Sequence, residues 1–231
     1  MGIKERQERD REAVSRAILD AARELFVAEG FENISIRKIA ERIEYSPAAI
    51  YGYFPSKDDI FFALAEEGFR LLGDPAAVRH DPQMQNAPPI ERVRAMFWHF
   101  YEFSRTQPQY FALMFVDRSV PRISREYERF AFARDLKQNV VEELRACIAA
   151  GDLPATLDPF VAMRALTVSL LGVAVLALAD RLVPGENADL LAADVLNLTL
   201  AGLRAGVTLQ STGLVDCPLD ASVTIADAQA S

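Results

Sequence analysis

Between Ser46 and Lys57 the chain brings together Ser46, Pro47, Ala48, Ala49, Tyr51, Tyr53 and Lys57, that is, a hydroxyl, small apolar surfaces, two phenols and an ammonium. These groups suit recognition of a nucleic acid. Hydroxyls and amines bond phosphate oxygens or base edges, and small apolar side chains meet thymine methyls. Bond-making chemistry has no comparable support. The histidines are His80, in a proline-rich stretch, and His99, in an aromatic one, and no His, Cys and carboxylate cluster stands at metal-ligand spacing. No nucleophile lies beside a base to activate it, and no glycine-rich phosphate loop is present. An enzyme, a metal site and a cofactor are therefore not expected.

Two short helices must position these groups. Ser35 can cap the first, where Ile36, Ile39, Ala40 and Ile43 recur at three- and four-residue spacing and form one apolar face. Glu44-Tyr45 is the expected turn. A left-handed conformation at Glu44 would cost about 1 kcal/mol or more relative to glycine. Ser46-Pro47 then restarts the chain as a helix, because serine is a favoured cap and proline is at home in the first helical position. Ala48, Ala49 and Gly52 keep that helix slim enough for a major groove. Ser56 and Asp59 form a capping pair for the next helix. That places Lys57 in its first turn, where the dipole disfavours a cation and an anionic partner such as phosphate is expected.

Together with a helix expected over Asp10 to Gly30, this segment resembles the DNA-binding domain of the TetR family of transcriptional regulators. The stretches DAARELFVAEGF, IRKIAERI and AAIYGYFPSKDDIF carry the resemblance, over roughly residues 10–64. It implies that Ser46, Pro47, Ala48 and Ala49 face the groove and that Tyr51, Tyr53 and Lys57 contact the DNA backbone. Where the family often has Ala-Gly at the turn, this chain has Ile43-Glu44. The second helix carries no Arg, Lys, Asn or Gln, so base reading leans on the Ser46 hydroxyl, on Pro47 and Ala48 or Ala49, and on Tyr51. Ser35 and Arg37, at the start of the preceding helix, complete the candidate set, with guanine or phosphate as the partner of Arg37. Residues 1–9 are expected to be a flexible arm. With Arg11, its cations Lys4, Arg6 and Arg9 could reach a minor groove.

The charge of −8 over 231 residues is unevenly placed. Residues 1–57 hold ten basic and ten acidic side chains, so the whole deficit falls on the remainder. Repulsion of that remainder by DNA would help orient the molecule. Two cysteines, Cys147 and Cys217, make no disulfide framework and read as reduced thiols of a cytoplasmic protein, with a redox-sensing role open for either. The first dozen residues are charged throughout, unlike a signal peptide. Ala165 to Ala179, the longest apolar stretch, is expected to be a buried helix too short for a membrane.

The expected architecture is all-α. A helix-turn-helix domain over residues 10–57 precedes a larger helical domain over 58–208 and a flexible tail over 209–231. Helices are expected near residues 56–72, 90–105, 108–116, 124–150, 159–181 and 188–209, with a proline-rich loop over 73–89. On the last helix, Leu191, Val195, Leu198 and Gly202 share one face, while Leu196, Leu200, Leu203 and Val207 share another. Two apolar faces need two partners. The resemblance implies a homodimer built from the last two long helices, to which Leu171 and Val175 are also assigned, and hence a palindromic operator in double-stranded DNA. It also implies a small-molecule effector that lowers DNA affinity by binding the other conformation better. Phe97, Trp98, Tyr101, Phe111, Met114, Phe115, Phe130, Met163 and Leu166 are the candidate lining, because large rings and flexible methionines suit an adaptable apolar cavity. His99, Arg105, Arg118 and Arg122 are candidate polar contacts. QPQYFALMFVDR and LLGVAVLALADRL bear a partial similarity to a WHG-type effector domain of such regulators, though Leu171-Gly172 stands where His-Gly would and the tryptophan is absent. The other reading is a helical carrier or adaptor that keeps the fold without binding DNA.

Overall fold

A computed structural model of the chain describes residues 2–73, 82, 84–117, 120 and 131–211. Helix α1 (Ile3–Glu29) is followed by a 3-10 turn (Phe31–Asn33), α2 (Ile36–Arg42), α3 (Pro47–Tyr51) and α4 (Lys57–Leu72). After these come α5 (Pro89–Thr106), α6 (Pro108–Phe111) with a π turn (Ala112–Val116), α7 (Ala131–Ala149), α8 (Pro159–Leu178) and α9 (Ala188–Arg204). Every described element is helical. Phe130, Cys217, His80, Arg118, Arg122 and most of the expected tail lie outside the described residues.

The first helix departs from expectation. It starts at Ile3 instead of Asp10, so residues 3–9 are helical where an arm was anticipated. The Gly2 N–H donates to the Glu5 carboxylate at 2.9 Å, satisfying one of the donors that a helix start leaves open.

Between α2 and α3 the chain closes as a Schellman turn. Tyr45 N–H donates to the Ala40 carbonyl at 2.9 Å and Glu44 N–H to that of Glu41 at 3.3 Å. Such a turn needs a left-handed residue, and Glu44 supplies it with φ 60°. Glycine is the usual occupant, so the glutamate bears the cost anticipated above.

Helix α4 joins two packed regions. Phe61, in its first half, meets Phe31 edge-on at 5.7 Å between ring centres. Phe69, in its second half, meets Phe115 of the π turn at 6.3 Å. Gly68 lets that turn approach closely, since a Cβ there would run into Met114 Sδ. On the far side α5 and α7 are tied by Arg92, whose Nε donates at 2.6 Å to the buried Glu143 carboxylate. The Arg92 NH1 group donates to the Ala87 carbonyl at 2.6 Å.

Helices α8 and α9 pack on each other and on α5. Leu196, Leu200 and Leu203 are buried, so one of the two apolar faces of α9 belongs to the chain's own core. Val207 is the exception on that face: it lies beyond the helix end and is exposed. Helix α8 differs from the sequence reading. It is one continuous 20-residue helix, long and apolar enough to cross a membrane, with a third of that length buried. Arg164 is the charge within it, and its uncovered side is treated with the site below.

Candidate nucleic-acid interface

Helix α3 is fixed from beneath by one residue. Ile50 is fully buried, and this leaves Ser46, Pro47, Ala48 and Tyr51 facing outward, with Tyr51 54% exposed and Ala49 half-buried. Ser46 Oγ accepts from Ala49 N–H at 3.2 Å, and Ser35 Oγ accepts from Lys38 N–H at the same distance. Each serine hydroxyl thus spends a lone pair on its helix cap and keeps its proton for an outside acceptor. The outward surface is neutral and smooth. It can enter a groove, contact methyl groups and donate from Ser46, but it offers no bidentate base contact.

Around that surface the cations are already engaged. Arg37 donates from Nε to Glu41 at 2.9 Å with its side chain 80% exposed, leaving its terminal nitrogens for another acceptor. Lys38 pairs with Glu29, and Arg42 with Glu24 at 3.1 Å. Lys57 does not point away from the protein as expected. Its ammonium donates to the Phe31 carbonyl at 2.8 Å and sits 4.1 Å from the Phe31 ring centre. A carbonyl and a π face compensate for the unfavourable helix end, so the lysine's position needs no phosphate to explain it. Tyr53 is half-buried rather than exposed, with the Arg11 guanidinium over its ring at 5.6 Å.

The candidate effector residues pack against one another and against the core of the second domain. Phe97, Tyr101, Phe111, Met114 and Leu166 are buried, and Phe115, Trp98 and Met163 pack against the same core. Phe100, Phe111 and Phe115 form a three-way aromatic cluster with ring centres 5.0 to 5.4 Å apart. Two clefts among the described residues are lined by other side chains than the predicted ones. One, of about 440 Å³, lies at Arg92, Glu143 and Gln85; the other, of about 410 Å³, lies between α1 and α4 at Arg16, Glu67 and Arg70. Rings of complementary shape filled the space with one another, which a one-dimensional pattern cannot distinguish from lining a cavity. His99 bonds the Leu72 carbonyl at the end of α4 at 2.9 Å, and Arg105 binds both Asp189 oxygens at 2.7 Å. Both have partners within the chain. Tyr101 donates to Asp189 at 2.8 Å, and burial, more than the carboxylate, raises its pKa.

Of the expected dimer residues, Leu198 is 72% exposed, whereas Leu171, Val175, Leu191, Val195 and Gly202 are half-buried. Val168, 59% exposed, and Leu176 extend this surface on α8 and were not anticipated. Their signal was present in the spacing Arg164, Val168, Gly172, Leu176, one residue every four along a helix.

A helix-turn-helix pair with a capped, outward-facing second helix, carried by a larger helical bundle, defines a DNA-binding regulator fold. Residues 18–64 match the bacterial regulatory proteins of the tetR family, and residues 93–198 match the tetracyclin repressor-like C-terminal domain. The chain belongs to the TetR family. It is 42% identical over 52 residues to the HTH-type transcriptional repressor Rv1474c of Mycobacterium tuberculosis, covering 22% of this chain and 28% of that protein. Against the HTH-type transcriptional regulator BetI of Rhizobium meliloti it is 28% identical over 139 residues, 59% of this chain and 67% of that one. A crystal structure of a TetR/AcrR-family transcriptional regulator from Thermobifida fusca superposes with a TM-score of 0.55 at 26% identity, covering 82% of this chain and 98% of that one.

Proposed function

We propose that this chain is a sequence-specific transcriptional repressor that binds a palindromic operator as a homodimer and is released from it by a small apolar or amphipathic molecule. The observation that carries the reading is helix α3. Ser46 caps it, Ile50 anchors it, and its Ser46, Pro47, Ala48 and Tyr51 face is presented to the outside on a helix-turn-helix frame. Ser35, Arg37 and Ala49 border that face, and Tyr53 buttresses it.

The dimer forms through the apolar surface that α8 and α9 leave uncovered, with Val168, Leu176 and Leu198 at its centre and Leu171, Val175, Leu191, Val195 and Gly202 at its edges. Two-fold symmetry sets the two α3 helices one helical turn of DNA apart, about 34 Å, and so calls for a palindrome. The effector enters the second domain by parting the Phe100, Phe111 and Phe115 cluster, which adjoins α4 through Phe69. By linkage it weakens DNA binding by the factor by which DNA weakens its own. The protein acts in the cytoplasm, where the operator is.

Selection of binding sites by the purified protein from a randomised DNA pool, followed by titration of the selected site at two salt concentrations, tests the reading. A palindrome with salt-sensitive affinity is expected. A folded dimer that enriches no sequence would refute it and favour a carrier or adaptor.

A further inference from the structure

Within the surface that α8 and α9 leave uncovered stand two charges of opposite sign. Arg164 lies on α8 one turn before Val168, and Asp194 lies on α9 one turn before Leu198. Val168 and Leu198 are the most exposed large apolar side chains of their helices. At 100° per residue each charge falls about 40° from that neighbour, so both share the uncovered face. Both are exposed, and among the described residues neither is in an ion pair. The other acid of α9, Asp189, is held by Arg105 and Tyr101.

Their levels along the helices differ. Helices α8 and α9 are joined by a short connection and pack on each other, so they run antiparallel. Val168 is ten residues from the connected end of α8 and Leu198 ten residues into α9, which sets the two level, about 15 Å from the connection. Arg164 lies one turn beyond that level and Asp194 one turn short of it. The two are therefore about 12 Å apart along the axis, too far to pair within one chain.

From this placement we infer that Arg164 forms an ion pair with the partner's Asp194 across the homodimer interface, so that two reciprocal pairs fix the orientation in which two copies of this chain dock. The inference rests on the dimer proposed above and deepens it by naming what selects the partner. A two-fold axis passing across the helices at the level of Val168 and Leu198 exchanges the Arg164 end of one copy with the Asp194 end of the other. Each arginine then arrives at the end that holds the partner's Asp194. With the axis along the helices instead, arginine would stand level with arginine and aspartate with aspartate. Apolar contact tolerates either arrangement, but charges taken out of water without opposite partners strongly disfavour the second. The apolar side chains thus supply the association, and the charges set its register and reject surfaces that lack the matching pattern.

Charge reversal in the full chain tests the pairing. Arg164→Asp alone and Asp194→Arg alone should each raise the dimer dissociation constant about 100-fold or more, because each brings like charges together at both sites. Mixed in equal amounts, the two single variants should form the mixed dimer in preference to either homodimer, since only there does every reversed charge meet its opposite. Native mass spectrometry separates the three dimers by mass. The double variant should dimerise within about tenfold of wild type. Both side chains are exposed in the single chain, so the variants should fold, which circular dichroism of each alone checks. Single variants as dimeric as wild type, statistical mixing, or no association on mixing would each overturn the inference. Leu198→Asp separates this from the dimer reading. If that variant stays dimeric, the interface lies elsewhere and both fall; if it is monomeric while the reversals are silent, only the ion pair is wrong.

Discussion

Arg23 NH1 donates to the Tyr110 hydroxyl at 2.9 Å while the same guanidinium lies over the Tyr110 ring, 5.1 Å from its centre. The pair joins the first helix of the DNA-binding unit to α6 of the second domain. Arg16 adds a longer bond to the same hydroxyl at 3.4 Å, pairs with Glu67 of α4 and holds the Asp20 carboxyl below its usual range. Helix α6 runs directly into the π turn, so Tyr110 stands where the aromatic core meets the DNA-binding unit.

Replacing Tyr110 by Phe keeps the ring under Arg23 and removes only the hydroxyl. Stability should fall by about 1–2 kcal/mol, the range for a partly solvated hydrogen bond to a charged group. A denaturant midpoint measured against wild type reads this directly. No change would mean that water replaces the hydroxyl at no cost.

At the helix-turn-helix turn, Glu44→Gly should stabilise the protein. Relief of the left-handed glutamate is worth about 1–2 kcal/mol, offset by about 0.5–1 kcal/mol for the greater freedom of glycine in the unfolded chain. A net gain of about 0–1.5 kcal/mol follows. The denaturant midpoint should rise with unchanged slope; a fall would show that the Glu44 side chain contributes more than its backbone strain costs.

Ser46 carries two roles that substitution can separate. Ser46→Ala removes the α3 cap and should cost about 1 kcal/mol of stability. Ser46→Asp preserves a capping acceptor and so should stay within a few tenths of a kcal/mol of wild type, yet it places a negative charge toward the groove. Operator affinity, read by fluorescence anisotropy, should drop more than tenfold in the aspartate variant alone or beyond its effect in alanine. Equal binding by Asp and Ser would remove this end of α3 from the interface.

For the dimer surface, Leu198→Asp sets a charge on the most exposed leucine of α9. Sedimentation should then report monomers at concentrations where wild type is dimeric, and operator binding should weaken by orders of magnitude because the second half-site is no longer tethered. A variant that stays dimeric would place the interface elsewhere.

Cys147 is fully buried, and burial, assisted by Asp152 and Glu143, pushes its pKa up to about 12. The thiolate, which is the reactive form, is therefore negligible at pH 8. In a Cys217→Ser background, iodoacetamide at pH 8 should leave the native protein unmodified and alkylate it fully in denaturant. Rapid native labelling would reopen a redox role for this thiol.

Local sequence signals were sufficient wherever chemistry acts between near neighbours. Ser35, Ser46 and Ser56 cap α2, α3 and α4 as their hydroxyls and spacing require, and Pro47 stands in the first turn of its helix. The strain at Glu44 was legible too, because a Schellman turn demands one left-handed residue at a fixed offset from the helix end. Periodicity also separated the two faces of α9, though it could not say which was covered.

What only the tertiary structure decided were relations between residues far apart in the chain. Lys57 seemed to need a phosphate until Phe31, 26 residues earlier, placed its carbonyl and ring against the ammonium. The aromatic residues of α5, α6 and the π turn suit a pocket or a core equally well by composition, and only the fold brings Phe100, Phe111 and Phe115 together at 5.0 to 5.4 Å. The charged N-terminus read as an arm because alternating acids and bases have no apolar period. As a continuation of α1 the same residues acquire sides, and only the packing of α1 on its neighbours sets the Arg11 guanidinium over Tyr53. Helix capping and turn geometry are set by atoms within four residues of one another, whereas burial and pairing depend on which distant surfaces the folded chain brings together.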